Sequence, residues 1–164
     1  MIFETERLLI RKLILDDLHP FHELESNPLV LKYATGEPKD FDENRRELID
    51  LISRYIIPKN DFWIYAIERK YDNCFVGTVA LVKDNIDDEI GYRFLEKYWK
   101  QGYGSEICQG LISYCREIGM EKIIGYVADE NSASAKILVN NNFTIISTFL
   151  NDENQQETKY ELKL

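Results

Sequence analysis

Two histidines, three cysteines and four prolines are all that the 164 residues hold of those types, and no apolar run approaches the roughly 20 residues of a membrane helix. The opening Met1-Ile2-Phe3-Glu4-Thr5-Glu6-Arg7 has acids where a secretion signal has a basic segment and then an apolar one. A cytoplasmic location with no membrane partner is therefore expected. Cys74, Cys108 and Cys115 form no CxxC pair, and a single disulfide would leave one over. Cys108 and Cys115 stand seven apart on one helical face, where small buried apolar side chains are expected. His19 and His22 have no cysteine or histidine cluster to complete a ligand set, so surface or capping roles and no metal are expected. Positive charge is also scarce. With 20 Lys+Arg against 29 Asp+Glu, the net charge is -9 and the pI about 4.8. Phosphate backbones need a concentrated positive field, so nucleic acid is not an expected partner, whereas a cationic amine is.

What is present reads as one domain over residues 1–164, with no linker, repeat or low-complexity tract. Residues 5–15 read as a first strand, and the acids at 16 and 17 open a short helix. The region up to residue 40, broken by Pro28, Gly36 and Pro38, reads as loop. Residues 44–57 read as a helix stopped by Pro58. Strands at 62–67, 74–82 and 89–94 follow as an antiparallel meander, with an acidic turn over 83–88. The pattern then alternates. A helix over 104–118 carries an apolar stripe and ends at Gly119, a strand occupies 122–127, and a helix capped by Asn131-Ser132 runs to about 140–142. A hairpin of 143–150 with 157–162 closes the chain. The class is α/β (α+β), with helices packed on a mixed sheet.

Two segments carry chemistry. Trp99-Lys100-Gln101-Gly102-Tyr103-Gly104-Ser105-Glu106 puts two glycines where a helix opens, so unpaired N–H groups can face an anion without an intruding Cβ. A Walker loop would end in Gly-Lys-Ser/Thr, and a dinucleotide fingerprint would have a small residue where this chain has Ile107. A lone G-x-G is equally a plain turn. The second segment, Val127 to Leu138, sets Asn131 and Ser134 three apart where a strand hands over to a helix, so both can face one ligand.

Together with Glu4-Thr5-Glu6-Arg7-Leu8-Leu9-Ile10-Arg11, Ile90-Gly91-Tyr92 and Asn142-Phe143, these segments resemble the GNAT superfamily of acetyl-CoA-dependent N-acetyltransferases. The similarity is to the branch of ribosomal-protein N-terminal acetyltransferases and covers almost the whole chain. It implies a GNAT-like acyl-CoA N-acyltransferase fold: a mostly antiparallel sheet flanked by helices, with central strands 91–95 and 123–127 splayed apart. It further implies acetyl-CoA as acyl donor, its pyrophosphate on the amides of Gln101, Gly102, Tyr103, Gly104 and Ser105, and its pantetheine arm in the splay beside Asn131 and Ser134. Homodimers occur in this branch, which leaves a homodimer as one expectation. Trp99 stands where the family often has Gln or Arg, and Asn142 replaces a glycine, which suits a site needing only positive φ.

Acetyl transfer to a primary amine needs a neutral nitrogen, a polarised thioester carbonyl and a protonated leaving thiolate. A backbone N–H at Phe94 or Leu95 would polarise the carbonyl. Glu89, at the head of the central strand, is the candidate base and a candidate acceptor contact. Some relatives use a tyrosine as acid on the last helix, where this chain has Leu138, so Tyr126 and Tyr103 are candidate substitutes. Tyr33, in the Lys32 to Gly36 segment, would wall the acceptor pocket. The acceptor is a protein N-terminus or a small-molecule amine, attacked directly in a ternary complex. The competing expectation is a non-catalytic acyl-CoA-binding or regulatory module, favoured by the missing tyrosine at 138.

Overall fold

The computed structural model describes residues 1–34 and 36–164. Eight strands form one sheet: β1 (Phe3–Glu4), β2 (Leu8–Lys12), β3 (Phe62–Arg69), β4 (Cys74–Asp84), β5 (Asp87–Phe94), β6 (Lys122–Ala128), β7 (Thr144–Leu150) and β8 (Gln156–Lys163). Their order is β1-β2-β3-β4-β5-β6-β8-β7, and every pair is antiparallel except β5 with β6. A parallel pair needs a crossover, supplied here by helix α4 (Tyr103–Glu117). The other helices are α1 (Leu18–Glu25), α2 (Pro28–Leu31), α3 (Phe41–Arg54) and α5 (Ser132–Asn140).

Four expectations change at their boundaries. The strand expected over 5–15 shortens to β2, with β1 before it, because Thr5 closes a turn on Leu8: its N–H donates to the Leu8 carbonyl and its hydroxyl accepts from the Leu8 N–H. Its far end bends because buried Asp17 accepts from the Ile14 N–H and from both terminal nitrogens of Arg11. Helix α3 starts three residues early, since Asp40 and Glu43 form a reciprocal capping box. The acidic turn shrinks to residues 85 and 86, with Asn85 left-handed at φ 54, and the region expected to be loop contains α2, capped by Asn27.

Each face of the sheet has its own core. Helix α4 buries Ile107, Cys108, Leu111, Ile112 and Cys115 against Ile90, Phe94, Ile123 and Val127. At about 2 kcal/mol per buried side chain, this stripe anchors the helix firmly and thereby fixes the loop before it. Burial pushes the Cys108 and Cys115 thiols up to about 12, so both act as small apolar side chains. On the opposite face α1 and α3 pack Phe21, Leu24, Leu48 and Leu51 against Ala66, Phe75 and Leu95. These helices leave the outer strands bare, and every residue of β7 is exposed. Asn142 takes φ 66 at the end of α5, as its replacement of a glycine requires, and turns the chain so that Phe143 is buried.

Candidate active site

Strands β5 and β6 pair at a single rung, Glu89 with Ile124. The Asp84–Asp87 hairpin and the Leu95 N–H to Val76 carbonyl bond fix the parity of the neighbouring antiparallel ladder. By that alternation the backbone groups of Tyr92 and Phe94 face β6, where no rung continues. A bulge in the β3–β4 ladder, between Ile67 and Glu68, brings Gly77 so close to β5 that a Cβ there would overlap the Arg93 carbonyl. Bulges add local twist, and this one lies opposite Phe94, at the end where β5 leaves β6. The central strands are therefore splayed, with a slot between them that widens from Glu89 toward Phe94.

At the wide end stands the start of α4. Its N-cap Gly102 is left-handed at φ 81, Lys100 before it has φ 59, and no side chain caps the helix. Helices α2, α3 and α5, by contrast, are capped by Asn27, Asp40 and Asn131. The first-turn amides of α4 are thus left to solvent or to a ligand, beside the C-terminal ends of two parallel strands. Gln101, Gly102 and Ser105 are exposed, Gly104 is half-buried, and Tyr103 is buried. Smallness at Gly104 answers to packing, because a Cβ there would lie 3.0 Å from Ile137 Cδ1 and 3.5 Å from Tyr92. Trp99 donates its indole N–H to the Phe94 carbonyl at 2.8 Å, tying the loop to the strand end. The Leu95 N–H is committed to Val76, which corrects the expectation that it could serve a thioester; Phe94 is the residue whose N–H faces the slot. Asn131 spends its side-chain oxygen on the Ser134 N–H at 3.3 Å, so the two form the cap of α5 and leave the Asn131 amide nitrogen and the Ser134 hydroxyl for other contacts.

At the narrow end lies Glu89. Burial, then the charges of Asp84 and Glu157, push its carboxyl up to about 7 against the opposing pull of Lys159. Lys159 itself bonds Asp87 at 2.7 Å. Tyr126 reaches back over this end to donate its hydroxyl to Asp84, with its ring edge-on to Phe149. That direction argues against its assignment as acid: the phenol points to the hairpin, away from the Phe94 end, and burial followed by the Asp84 hydrogen bond raises its pKa. Tyr103 is no substitute, since its ring stacks on Phe94 and its hydroxyl side meets Arg69 of β3, two strands from the slot. Leu138 is buried against Gly125 as a packing residue.

The α1–α2 segment lies across the end of β5. Arg93 Nη1 bonds both oxygens of Glu25 at 3.0 and 2.9 Å, Lys97 bonds Glu23, and Asn27 bonds Glu96. Lys32, over the Tyr33 ring, lies 4.0 Å from Glu130, which sets Tyr33 near the β6–α5 loop. Thr35 of the same segment lies outside the described residues. His22 faces Asn44 and Phe41 instead. Glu25, Arg93 and Glu157 went unread in the sequence, and Asp84 was read only as part of an acidic turn; Arg93 shares the parity of Glu89 along β5, a signal that alternation offers. Among the described residues no group of three His, Cys, Asp or Glu could hold a metal, and no helix is long and apolar enough to cross a membrane.

Residues 7–144 match the model of the acetyltransferase (GNAT) domain family. The chain is 27% identical over 146 residues to the uncharacterized N-acetyltransferase YoaA of Bacillus subtilis, covering 87% of this chain and 82% of that protein. Its fold superposes on a GNAT-family acetyltransferase from Bacillus anthracis with TM-score 0.86, at 24% identity and over 98% and 97% of the two chains. A RimL ribosomal α-N-protein acetyltransferase in complex with coenzyme A gives TM-score 0.83 at 19% identity, over 98% and 96%. Splayed parallel strands, an uncapped helix start beside them and a match over most of the sequence agree: the chain belongs to the GNAT family and is an acetyl-CoA-dependent acyltransferase.

Proposed function

We propose that the protein transfers the acetyl group of acetyl-CoA to a primary amine by direct attack in a ternary complex, with Glu89 as general base. The observation that carries this reading is the placement of a carboxyl with pKa about 7 at the single rung where the slot begins. Bound acetyl-CoA supplies an activated thioester, whose C–S bond breaks as the amine nitrogen bonds the acetyl carbon, and the coenzyme A thiolate leaves and takes a proton from water. The amides of Gln101, Gly102, Tyr103, Gly104 and Ser105 hold its pyrophosphate, where the uncapped N-terminus of α4 fits an anion. The Phe94 N–H polarises the thioester carbonyl, and the free polar atoms of Asn131 and Ser134 flank the arm. Glu89, half ionised near neutrality and five residues along β5 from Phe94, takes the amine proton through a relay of waters. Tyr33 walls the acceptor side. The charges of Asp84 and Glu157 favour a cationic acceptor, whether a protein N-terminus or a small-molecule amine.

A panel of amines with thiol release as readout tests the reading. Turnover confined to primary amines and lost in Glu89→Gln supports it. Turnover unchanged in Glu89→Gln removes Glu89 from the chemistry, and no turnover with any amine removes the amine acceptor.

A further inference from the structure

Three hydrogen bonds from the N-terminal bend converge on Glu106, in the first turn of α4. Thr5 Oγ1 donates to Oε1 at 2.6 Å, the Arg7 backbone N–H to the same oxygen at 2.8 Å, and Arg7 Nε to Oε2 at 2.7 Å. Burial pushes the Glu106 carboxyl up, yet these bonds outweigh it and hold the group below the usual carboxylate range. The guanidinium does more than pair with it. Arg7 Nη1 donates to the carbonyl of Gln101 at 3.0 Å, and the group lies over the Tyr103 ring at 4.5 Å. Its other terminal nitrogen is close enough to Gly102 that a Cβ there would sit 3.4 Å away.

One side chain thus holds both sides of the loop–helix junction, the carbonyl before Gly102 and the carboxylate four residues after it. The peptide joining Gln101 to Gly102 is planar, so its carbonyl and its N–H point in opposite directions. With the carbonyl fixed on Arg7, the Gly102 N–H turns away from β2. Glycine at φ 81 with no side-chain cap gives this peptide little resistance of its own to flipping.

We propose that Arg7 is a positioning residue for the acyl donor: by holding the Gln101 carbonyl it aims the Gly102 N–H into the anion seat of α4. The proposal rests on the donor reading above. Arg7 acts through the backbone, and its charge is balanced by Glu106, so it adds orientation rather than net positive charge to the seat. Lysine cannot replace it, because an ammonium lacks the planar fork that reaches a carboxylate and a carbonyl together.

The test compares two donors, acetyl-CoA and acetyl-pantetheine, which lacks the pyrophosphate. In Arg7→Met the ratio of kcat/KM for acetyl-CoA to that for acetyl-pantetheine falls about tenfold, with the loss in KM for acetyl-CoA. Arg7 borders a cavity of about 350 Å³ shared with Arg69 and Tyr71, so added guanidinium can enter the vacated place and restore the ratio, whereas ammonium cannot. Arg7→Lys, which keeps the charge and serves should the methionine variant not fold, shows the same fall in the ratio. An equal loss with both donors, or an unchanged ratio in Arg7→Lys, overturns the proposal and leaves Arg7 a brace between β2 and α4. Calorimetry separates this from failure of the donor reading: wild-type protein that does not bind acetyl-CoA overturns both, while equal binding by wild type and Arg7→Lys overturns the positioning role alone.

Discussion

Glu89 sits opposite Ile124 at the single rung joining the parallel strands, so its half-buried carboxyl and the closed end of the slot coincide. A base must be ionised to act. With its carboxyl at about 7, the rate of acetyl transfer should rise with pH through that value and then level off until other groups titrate. Glu89→Gln should abolish this limb and lower kcat about 100-fold. The pH profile of kcat/KM with a weakly basic amine, neutral throughout the range, isolates the limb from ionisation of the acceptor.

The same residue predicts an opposite effect on stability. Its carboxyl is raised in the folded chain, so the folded form binds the proton more tightly than the unfolded one. That contribution is fully present below the ordinary carboxylate value and is lost as pH rises through about 7. Glu89→Gln should therefore melt higher than wild type at pH 8, by roughly 2 kcal/mol or about 5 °C after discounting for partial contact with water. Near pH 4 the difference should vanish. Thermal melts at the two pH values check it, and an inactive variant that is also more stable has not simply misfolded.

Glycine-to-alanine changes at 102 and 104 should separate backbone from packing. At Gly102, with φ 81, alanine strains the backbone by about 1 kcal/mol while meeting only the flexible end of Arg7. At Gly104 the added methyl meets Tyr92 at ordinary contact distance but presses on Ile137 Cδ1, whose end must give by a few tenths of an ångström. Both variants should bind acetyl-CoA more weakly by calorimetry. Valine at 104 should also lower the melting temperature several degrees, because a branched side chain cannot clear both neighbours.

The helix α4 was legible because Ile107, Cys108, Leu111, Ile112 and Cys115 recur at helical spacing, and the uncapped glycine start came with it. Asp40 and Glu43 were equally readable as a capping box and were passed over in favour of the apolar positions that follow. The bend at Thr5 was hidden, since its cause is one hydroxyl turning back on Leu8. The side-chain partners of the site were hidden for a stronger reason. Arg7 and Glu106 are 99 positions apart, and Tyr126 and Asp84 are 42 apart. Periodicity places each on a face, but only the sheet order brings the two faces together.

Tyr126→Phe distinguishes a proton donor from a wall. The phenol bonds Asp84 and points away from the Phe94 end of the slot. The variant should therefore keep kcat within about threefold of wild type, where loss of a general acid costs about 100-fold or more. Donors with poorer thiol leaving groups sharpen the comparison, because they depend most on protonation of the sulfur. A loss that grows with leaving-group pKa would return Tyr126 to the chemistry.

Glu25 holds the α1–α2 segment over β5 through Arg93, and it is itself only 7% exposed. Removing one partner of such a pair leaves the other charge poorly compensated. Glu25→Gln should cost about 2 kcal/mol, below the cost for a fully buried pair because Arg93 still reaches water. The functional consequence should be confined to one substrate. The segment carries Tyr33 toward the acceptor side, whereas the donor seat is built on α4, which Glu25 does not touch. KM for the amine should rise several-fold while KM for acetyl-CoA stays within twofold. Initial-rate kinetics with each substrate varied in turn decide it. Equal effects on both KM values would mean that the segment orders the whole slot rather than its acceptor side.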